Sequence, residues 1–381
     1  AKEVVDMRRT LLAMVIAGLV ISACSPGSSD TTAATSGSTV TTAAPTTTSQ
    51  ATTTTQSSPS TSEATTTTTV PAAAGTVDDP IPAGTWASVG VVDVAVVANE
   101  TDATERVLDE NEFNVAPEPG NRFVMWRVAV TNAGEQAVPL LAEVSFTVAG
   151  RSTVVYNTSA NCGVIPDQLD EFRDVFPGGT VEGNLCWEVA DEDAESLVLL
   201  VDQFALSSEG TVFASAGTNV PLTIDYPAPV PPATDGPAGT RGNPYPIGET
   251  IAVGEWDITV TGVQADATAA VLAENSLNEP PDAGRQFFLV GIEGAYNGNT
   301  SDFLFASTSF ATVGPLAVAY TGEDTCGVVP GEIEVFAEVF PGGTVAGNLC
   351  WSVRSEDADG IVLYVQEAVT LDGEPAFFDL G

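Results

Sequence analysis

One stretch of this chain occurs twice. Residues 162–189 read CGVIPDQLDEFRDVFPGGTVEGNLCWEV, and residues 326–353 read CGVVPGEIEVFAEVFPGGTVAGNLCWSV, 164 positions later. Each copy has two cysteines, a Phe-Pro-Gly-Gly-Thr segment and a Gly-Asn-Leu-Cys-Trp ending. The register extends beyond the copies without a gap. Pro80, Asp102-Ala103-Thr104, Val107-Leu108, Gly120, Phe123, Ser145-Phe146 and Tyr156 recur as Pro244, Asp266-Ala267-Thr268, Val271-Leu272, Gly284, Phe287, Ser309-Phe310 and Tyr320. This is a tandem duplication, with module 1 expected at 79–225 and module 2 at 241–381. The Pro- and Gly-rich segment 226–240 reads as a semi-rigid spacer between them.

Within a module the periodicity is that of strands. Val92, Val94 and Val96 alternate with Asp93 and Ala95, and Trp256, Ile258 and Val260 with Asp257 and Thr259. Residues 123–130 are apolar on both parities apart from Arg127, the pattern of a central strand covered on both faces. No long stretch keeps a 3.6-residue period, and 167–174 is the most helix-like segment, with room for one or two turns. The expected fold class is all-β: two tandem immunoglobulin-like β-sandwiches behind a disordered Thr/Ser-rich stalk.

The repeated element divides by parity. After the Pro-Gly-Gly turn, Val181, Gly183, Leu185, Trp187 and Val189 share one strand face, and Glu182, Asn184, Cys186 and Glu188 the other. The second copy sets Val345, Gly347, Leu349, Trp351 and Val353 against Ala346, Asn348, Cys350 and Ser352. Each tryptophan is expected in the core and each second cysteine on the more polar side. The expected disulfides are Cys162–Cys186 and Cys326–Cys350, each closing a loop worth roughly 3.5 kcal/mol in the chain-entropy model. The alternatives are weaker: a metal site lacks histidine partners, and a redox pair favours a close C-x-x-C.

The chain ahead of the modules gives the expected address. Residues 7–24 read MRRTLLAMVIAGLVISAC: a basic start, an apolar run too short to span a bilayer, and Ile21-Ser22-Ala23-Cys24. That tetrapeptide resembles the lipobox of bacterial lipoproteins. The resemblance implies a signal peptide over 1–23, translation starting at Met7, and a diacylated (palmitate-type) Cys24 as the membrane anchor. Residues 24–78 are almost wholly Thr, Ser, Ala, Pro and Gly, without large apolar side chains to seed a core. They are expected to form a disordered tether with an rms span of roughly 40 Å. Export to the outer face of the cytoplasmic membrane or the cell surface follows.

Leader, stalk and repeated strand together resemble the telokin-like, immunoglobulin-fold modules of actinobacterial secreted lipoproteins, a group that includes mycobacterial immunogenic antigens. The resemblance covers 80–214 and 244–378. It implies a sandwich fold and an extracellular address, and carries no catalytic residue over. Tryptophan directly follows the second cysteine here, whereas antibody domains place it midway between two cysteines that span the core.

Chemistry is bounded mainly by what is missing. The chain has no histidine, its one lysine is Lys2, and 51 acidic residues face 11 basic ones, for a net charge of −40. Nucleic acid is excluded as a partner, since phosphate binding needs clustered cations, and His- or Lys-activated nucleophiles are excluded with it. No cofactor signature is present. Asp191 and Asp193, with Glu356, Asp357 and Asp359 in the second copy, follow the tryptophan strand. They read as solvated turn acids or as a Ca²⁺ site lacking the full EF-hand pattern. The expected role is non-enzymatic: binding, adhesion or scaffolding, with an envelope protein or glycan as partner. A small-solute or Ca²⁺ receptor is the alternative, ahead of an envelope hydrolase using paired carboxylates.

Overall fold

Alternating Val-rich strands need a second sheet to cover their apolar face, and the computed structural model supplies one for each copy of the repeat. It describes residues 75–157, 162–203, 210–368 and 375–381. The signal segment, Cys24 and nearly all of the stalk lie outside those residues.

Module 1 contains β1 (Ala87–Val89), β2 (Val92–Glu100), α1 (Thr104–Glu110), β3 (Asn121–Asn132), β4 (Val138–Pro139), β5 (Val144–Ala149), β6 (Val155–Asn157), β7 (Asp174–Val175), β8 (Thr180–Ala190), β9 (Val198–Gln203) and β10 (Thr211–Phe213). Module 2 repeats this with β11 (Thr250–Val253), β12 (Trp256–Gln264), α2 (Thr268–Glu274), β13 (Arg285–Tyr296), β14 (Asp302–Phe303), α3 (Leu304–Ser307), β15 (Thr308–Val313), β16 (Ala319–Tyr320), β17 (Glu338–Val339), β18 (Thr344–Arg354), β19 (Val362–Glu367) and β20 (Ala376–Asp379).

In module 1 the sheet β1-β2-β3-β8 faces the sheet β10-β9-β5-β6, and in module 2 β11-β12-β13-β18 faces β16-β15-β19-β20, all pairings antiparallel. In immunoglobulin terms β2, β3 and β8 stand as A, B and E, opposite β10, β9, β5 and β6 as G, F, C and C′. The core between them holds Val94, Trp126, Phe146, Trp187, Leu199 and Phe213 in module 1, and Ile258, Phe288, Phe310, Trp351, Leu363 and Phe378 in module 2. Phe213 pairs with Leu199 and Phe378 with Leu363, so the 164-residue offset becomes 165 at the last strand. The β19–β20 connection is therefore one residue longer than the β9–β10 connection, correcting the reading of a gapless register.

The parity of the repeated strand places Val181, Leu185, Trp187 and Val189 in the main core. The opposite face differs from expectation. Cys186 is buried with Cys162, Ala103, Val107, Phe123, Met125 and Ile165 in a second small core, and Cys350 packs against the equivalent cluster. What covers this face is a helix that the periodicity did not signal. α1 and α2 are seven residues each, and their first turns are fixed by Asp102 and Asp266, whose carboxylates accept the Thr104 and Thr268 N–H groups. The segment 167–174, expected to turn helically, forms no helix: Asp174 enters β7, which pairs with β4, and Gln168 bridges Asn184 of the repeated strand.

That last contact explains the Gly-Asn pair of the motif. Residues 166–169 cross β8 so closely that a Cβ on Gly183 would collide with the Leu169 backbone, and one on Gly347 would lie 2.6 Å from Ile333 Cα. Asn184 and Asn348 then hold the crossing segment, donating from Nδ2 to the Pro166 and Pro330 carbonyls at 2.7 Å in both modules. The cysteine following by two positions ties the start of the same loop, with S–S distances of 2.03 Å and 2.01 Å. Gly347→Ala is expected to cost about 2 kcal/mol through backbone displacement, seen as a lower urea midpoint with an unchanged far-ultraviolet spectrum.

Candidate functional site

The Phe-Pro-Gly-Gly turn sits at one end of each sandwich, and the two copies meet different surroundings. In module 1 the turn extends to β7 and docks on module 2. Val175 bridges Val318, the Phe176 N–H donates to the Ala317 carbonyl at 2.8 Å, and the Phe176 ring enters a buried cluster of Ala311, Val313, Ala319, Val362, Tyr364 and Phe377. These residues lie on the outer face of the β16-β15-β19-β20 sheet, since Phe310, Leu363 and Phe378 of the same strands fill the core. Phe176 meets Tyr364 and Phe377 edge-on, with ring centroids 5.7 and 6.1 Å away, and the Arg241 guanidinium lies 4.9 Å over its face.

Polar contacts fix the register of this joint. Arg173 donates to the Ala319 carbonyl at 2.8 Å and to Asp324 at 3.0 Å, while Asp324 also accepts from Arg285 at 2.6 Å. Burial works against the Arg173 charge, but Asp324 and Asp170 more than restore it and leave its pKa raised. Burial, with Asp174 beside it, drives the Tyr364 hydroxyl well above its ordinary pKa, so it remains a donor to Asp174 at 3.1 Å. The spacer contributes as well: the Val230 N–H donates to the Pro177 carbonyl, and Tyr226 stacks edge-on against Trp86.

In module 2 the equivalent turn is bare. Phe340 is 66 % exposed where Phe176 is 7 %, and a Cβ built on Gly342 would meet nothing within 4 Å. Around it stand Phe336, 73 % exposed, with Phe303 and Phe305, which occupy the positions of Pro139 and Leu141 in module 1. Phe305 and Phe336 pack edge-on at 5.7 Å, and Phe303 pairs with Glu338 in the β14–β17 ladder. Four accessible aromatic rings on a strand-braced end form an apolar platform with acidic neighbours. Sequence reasoning did not single out Phe303 and Phe305. Their signal was available: phenylalanine replaces Pro139 and Leu141 at the repeat register.

The acids after the tryptophan strand are not brought together. Asp191 pairs with Arg122 at 2.8 Å on the surface. Asp193 and Asp357 are buried, which corrects the reading of both as solvated turn acids, while Glu356 and Asp359 are exposed. Asp193 accepts from the Tyr156 hydroxyl at 2.8 Å, from the Ser152 N–H at 2.9 Å and from the Ser152 hydroxyl. Asp357 accepts from the Tyr320 hydroxyl at 2.8 Å and the Leu316 N–H at 2.6 Å. Each pair pins β6 or β16 to the turn after β8 or β18. Burial raises the Asp357 carboxyl, and burial with Asp357 beside it raises the Tyr320 hydroxyl. Among the described residues, no group of three or more His, Cys, Asp or Glu is arranged to hold a metal ion. A cleft of about 200 Å³ between the spacer and module 2 is lined largely by Pro229, Pro231, Pro232 and Pro315. An open groove of about 420 Å³ over α1 is lined by Glu100, Asp102, Glu105, Asp109 and Glu110 with Arg106. Neither has aromatic walls.

No family model matches the chain, and no curated protein matches it. Solved structures do. A conserved hypothetical protein from Bacillus anthracis is similar at 18 % identity over 35 % of this chain and 94 % of its own, with a TM-score of 0.24. An uncharacterized β-sandwich protein from Clostridium difficile matches at 13 % over 36 % of this chain and 95 % of its own, TM-score 0.25. A candidate lipoprotein from Bacillus subtilis matches at 16 % over 34 % of this chain and 37 % of its own, TM-score 0.25.

Two substitutions probe the joint and the pin. Phe176→Ala is expected to weaken the joint by about 3 kcal/mol, giving a larger radius of gyration in solution scattering and faster proteolysis within 226–240. Tyr320→Phe removes a donor from the buried Asp357 and is expected to cost about 1–2 kcal/mol. The folded Asp357 carboxyl already lies above its unfolded pKa, so the native state binds that proton more tightly. The deficit should be largest at neutral pH and shrink as pH falls through the raised pKa, as followed by urea unfolding at stepped pH.

Proposed function

We propose that this is an extracytoplasmic, lipid-tethered, non-enzymatic interaction protein whose contact surface is the aromatic end of module 2. The observation that carries the reading is the bare platform of Phe303, Phe305, Phe336 and Phe340 on a strand-braced end. Rigid aromatic rings gain contact area on binding at small conformational cost and dominate protein interfaces. The platform is exposed and strand-backed, and neither cleft described above is lined by its rings, which suits a protein partner better than a small solute. Two disulfides suit an oxidising compartment outside the cytoplasm. The lipobox-like tetrapeptide ending at Cys24 and the Thr/Ser-rich stalk supply the tether. The net charge of −40 keeps the surface soluble and directs it away from nucleic acid and anionic lipid head groups. The resemblance to actinobacterial secreted lipoproteins belongs to the same reading. Placing a photo-reactive phenylalanine analogue at Phe336 in producing cells is expected to yield one discrete cross-linked adduct. The same analogue at Phe113, 82 % exposed on module 1, is expected to yield none. Equal labelling at both positions would sink the assignment.

A further inference from the structure

Each module carries a turn that inserts and a sheet face that receives. The chain uses one of each and leaves one of each open. Module 1 inserts Phe176; module 2 receives it on Ala311, Val313, Ala319, Val362 and Tyr364, all less than 9 % exposed. The unused insert is Phe340 of module 2. The unused receiver is the outer face of the β10-β9-β5-β6 sheet in module 1, where Thr147, Ala149, Val155, Val198 and Leu200 occupy the equivalent positions. Val155 is 52 % exposed and the other four are half-buried, while Val212, in the place of Phe377, is buried at the edge of this face.

Resting on the reading of the aromatic end as a contact surface, we propose that its partner is a second copy of this chain: the Phe340 end of one molecule docks on the β5–β9 face of module 1 of another. The contact between copies repeats the one already made between modules. It is heterologous, since the two surfaces differ, and the docked pair retains one free receiver on the inserting copy and one free insert on the receiving copy. Assembly therefore proceeds head to tail and does not stop at two copies unless the geometry closes a ring.

The contact between copies is weaker than the one within the chain. Arg173 is replaced by Ala337, Asp174 by Glu338 and Tyr364 by Leu200, so neither the guanidinium–Asp324 bonds nor the tyrosine–aspartate bond recurs. The remaining contact is apolar and resisted by the acidic charge on every copy. Salt screens that repulsion, and tethering on one membrane raises the effective concentration. Self-association is thus expected to be weak in dilute low-salt solution and to increase with salt.

The test is sedimentation equilibrium of the full chain across roughly 10 µM to 1 mM, at low salt and at about 0.5 M salt where screening is nearly complete. The wild type should rise past twice the chain mass, more so at high salt. Phe340→Asp and Leu200→Asp should each remain monomeric, because each lacks one half of the contact. An equimolar mixture of the two should reach twice the chain mass and stop, since each variant retains the half the other lacks. Phe113→Asp, off both surfaces, should behave as wild type. A monomeric wild type at the highest concentration and salt overturns the proposal, as does a mixture as inert as its components, or either variant assembling alone. The Phe336 cross-link separates this from the broader reading. An adduct of twice the chain mass supports self-association, whereas a different mass beside a monomeric chain overturns it and leaves the aromatic end as the contact surface for another protein.

Discussion

Each module depends on one strand that packs against a layer on both sides. β8 and β18 present Trp187 and Trp351 to the sandwich core and Cys186 and Cys350 to a second layer beneath α1 and α2. Where both faces of such a strand are covered, along most of β8 and around Trp351 in β18, its backbone neighbours are supplied by β3 or β13 on one edge and by a loop on the other. The loop at 166–169, or 330–333, fills that place. It approaches closely only because Gly183 and Gly347 lack a side chain, and it stays because Asn184 and Asn348 bond to it on one side while the disulfide closes its start. Gly, Asn and Cys are therefore three answers to one problem, sealing the open edge of the strand, while Leu and Trp fill the core behind it.

This accounts for why the motif was legible and its surroundings less so. Alternation along β8 is a property of the strand itself, and its core parity could be read from Val181, Leu185, Trp187 and Val189 alone. What lay on the Cys186 side was not a local property. α1 is seven residues long, with Val107 its one buried side chain, too short to display a helical period. Its signal was the Asp102 and Asp266 turn, which is common in loops of every kind. The buried roles of Asp193 and Asp357 were equally hidden, because a run of acids after a strand looks solvated until its tyrosine is located across the sandwich. Tyr156 and Tyr320 were visible as repeat identities, but their pairing with Asp193 and Asp357 spans 37 positions and required the fold.

Duplication usually yields modules that are free to diverge independently, and here the divergence follows the joint. The receiving face of module 2 gained Tyr364 and Phe377 where module 1 has Leu200 and Val212, and the inserting turn of module 1 carries Arg173 and Asp174 where module 2 has Ala337 and Glu338. Polar residues were placed on the pair of surfaces that meet within the chain, where covalent linkage already makes the encounter intramolecular. There they define register more than they add strength, since Arg173 and Asp324 must lose water to pair. The other pair of surfaces is mostly apolar and, on module 2, carries phenylalanine at 303 and 305 where module 1 has Pro139 and Leu141.

An apolar surface held bare on a folded module exposes area that water disfavours and invites nonspecific contact. Four aromatic rings in one place are more than scattered surface hydrophobics require, whereas a single exposed apolar side chain such as Leu277 needs no account. The chain opposes the resulting stickiness with charge: Glu332, Glu334 and Glu338 lie in the same loop and strand as Phe336 and Phe340. Aromatic rings interspersed with carboxylates resist indiscriminate collapse at low ionic strength yet remain available to a face of matching shape. That combination is what the proposed contact surface requires: apolar area for a partner, with charge that keeps other contacts weak.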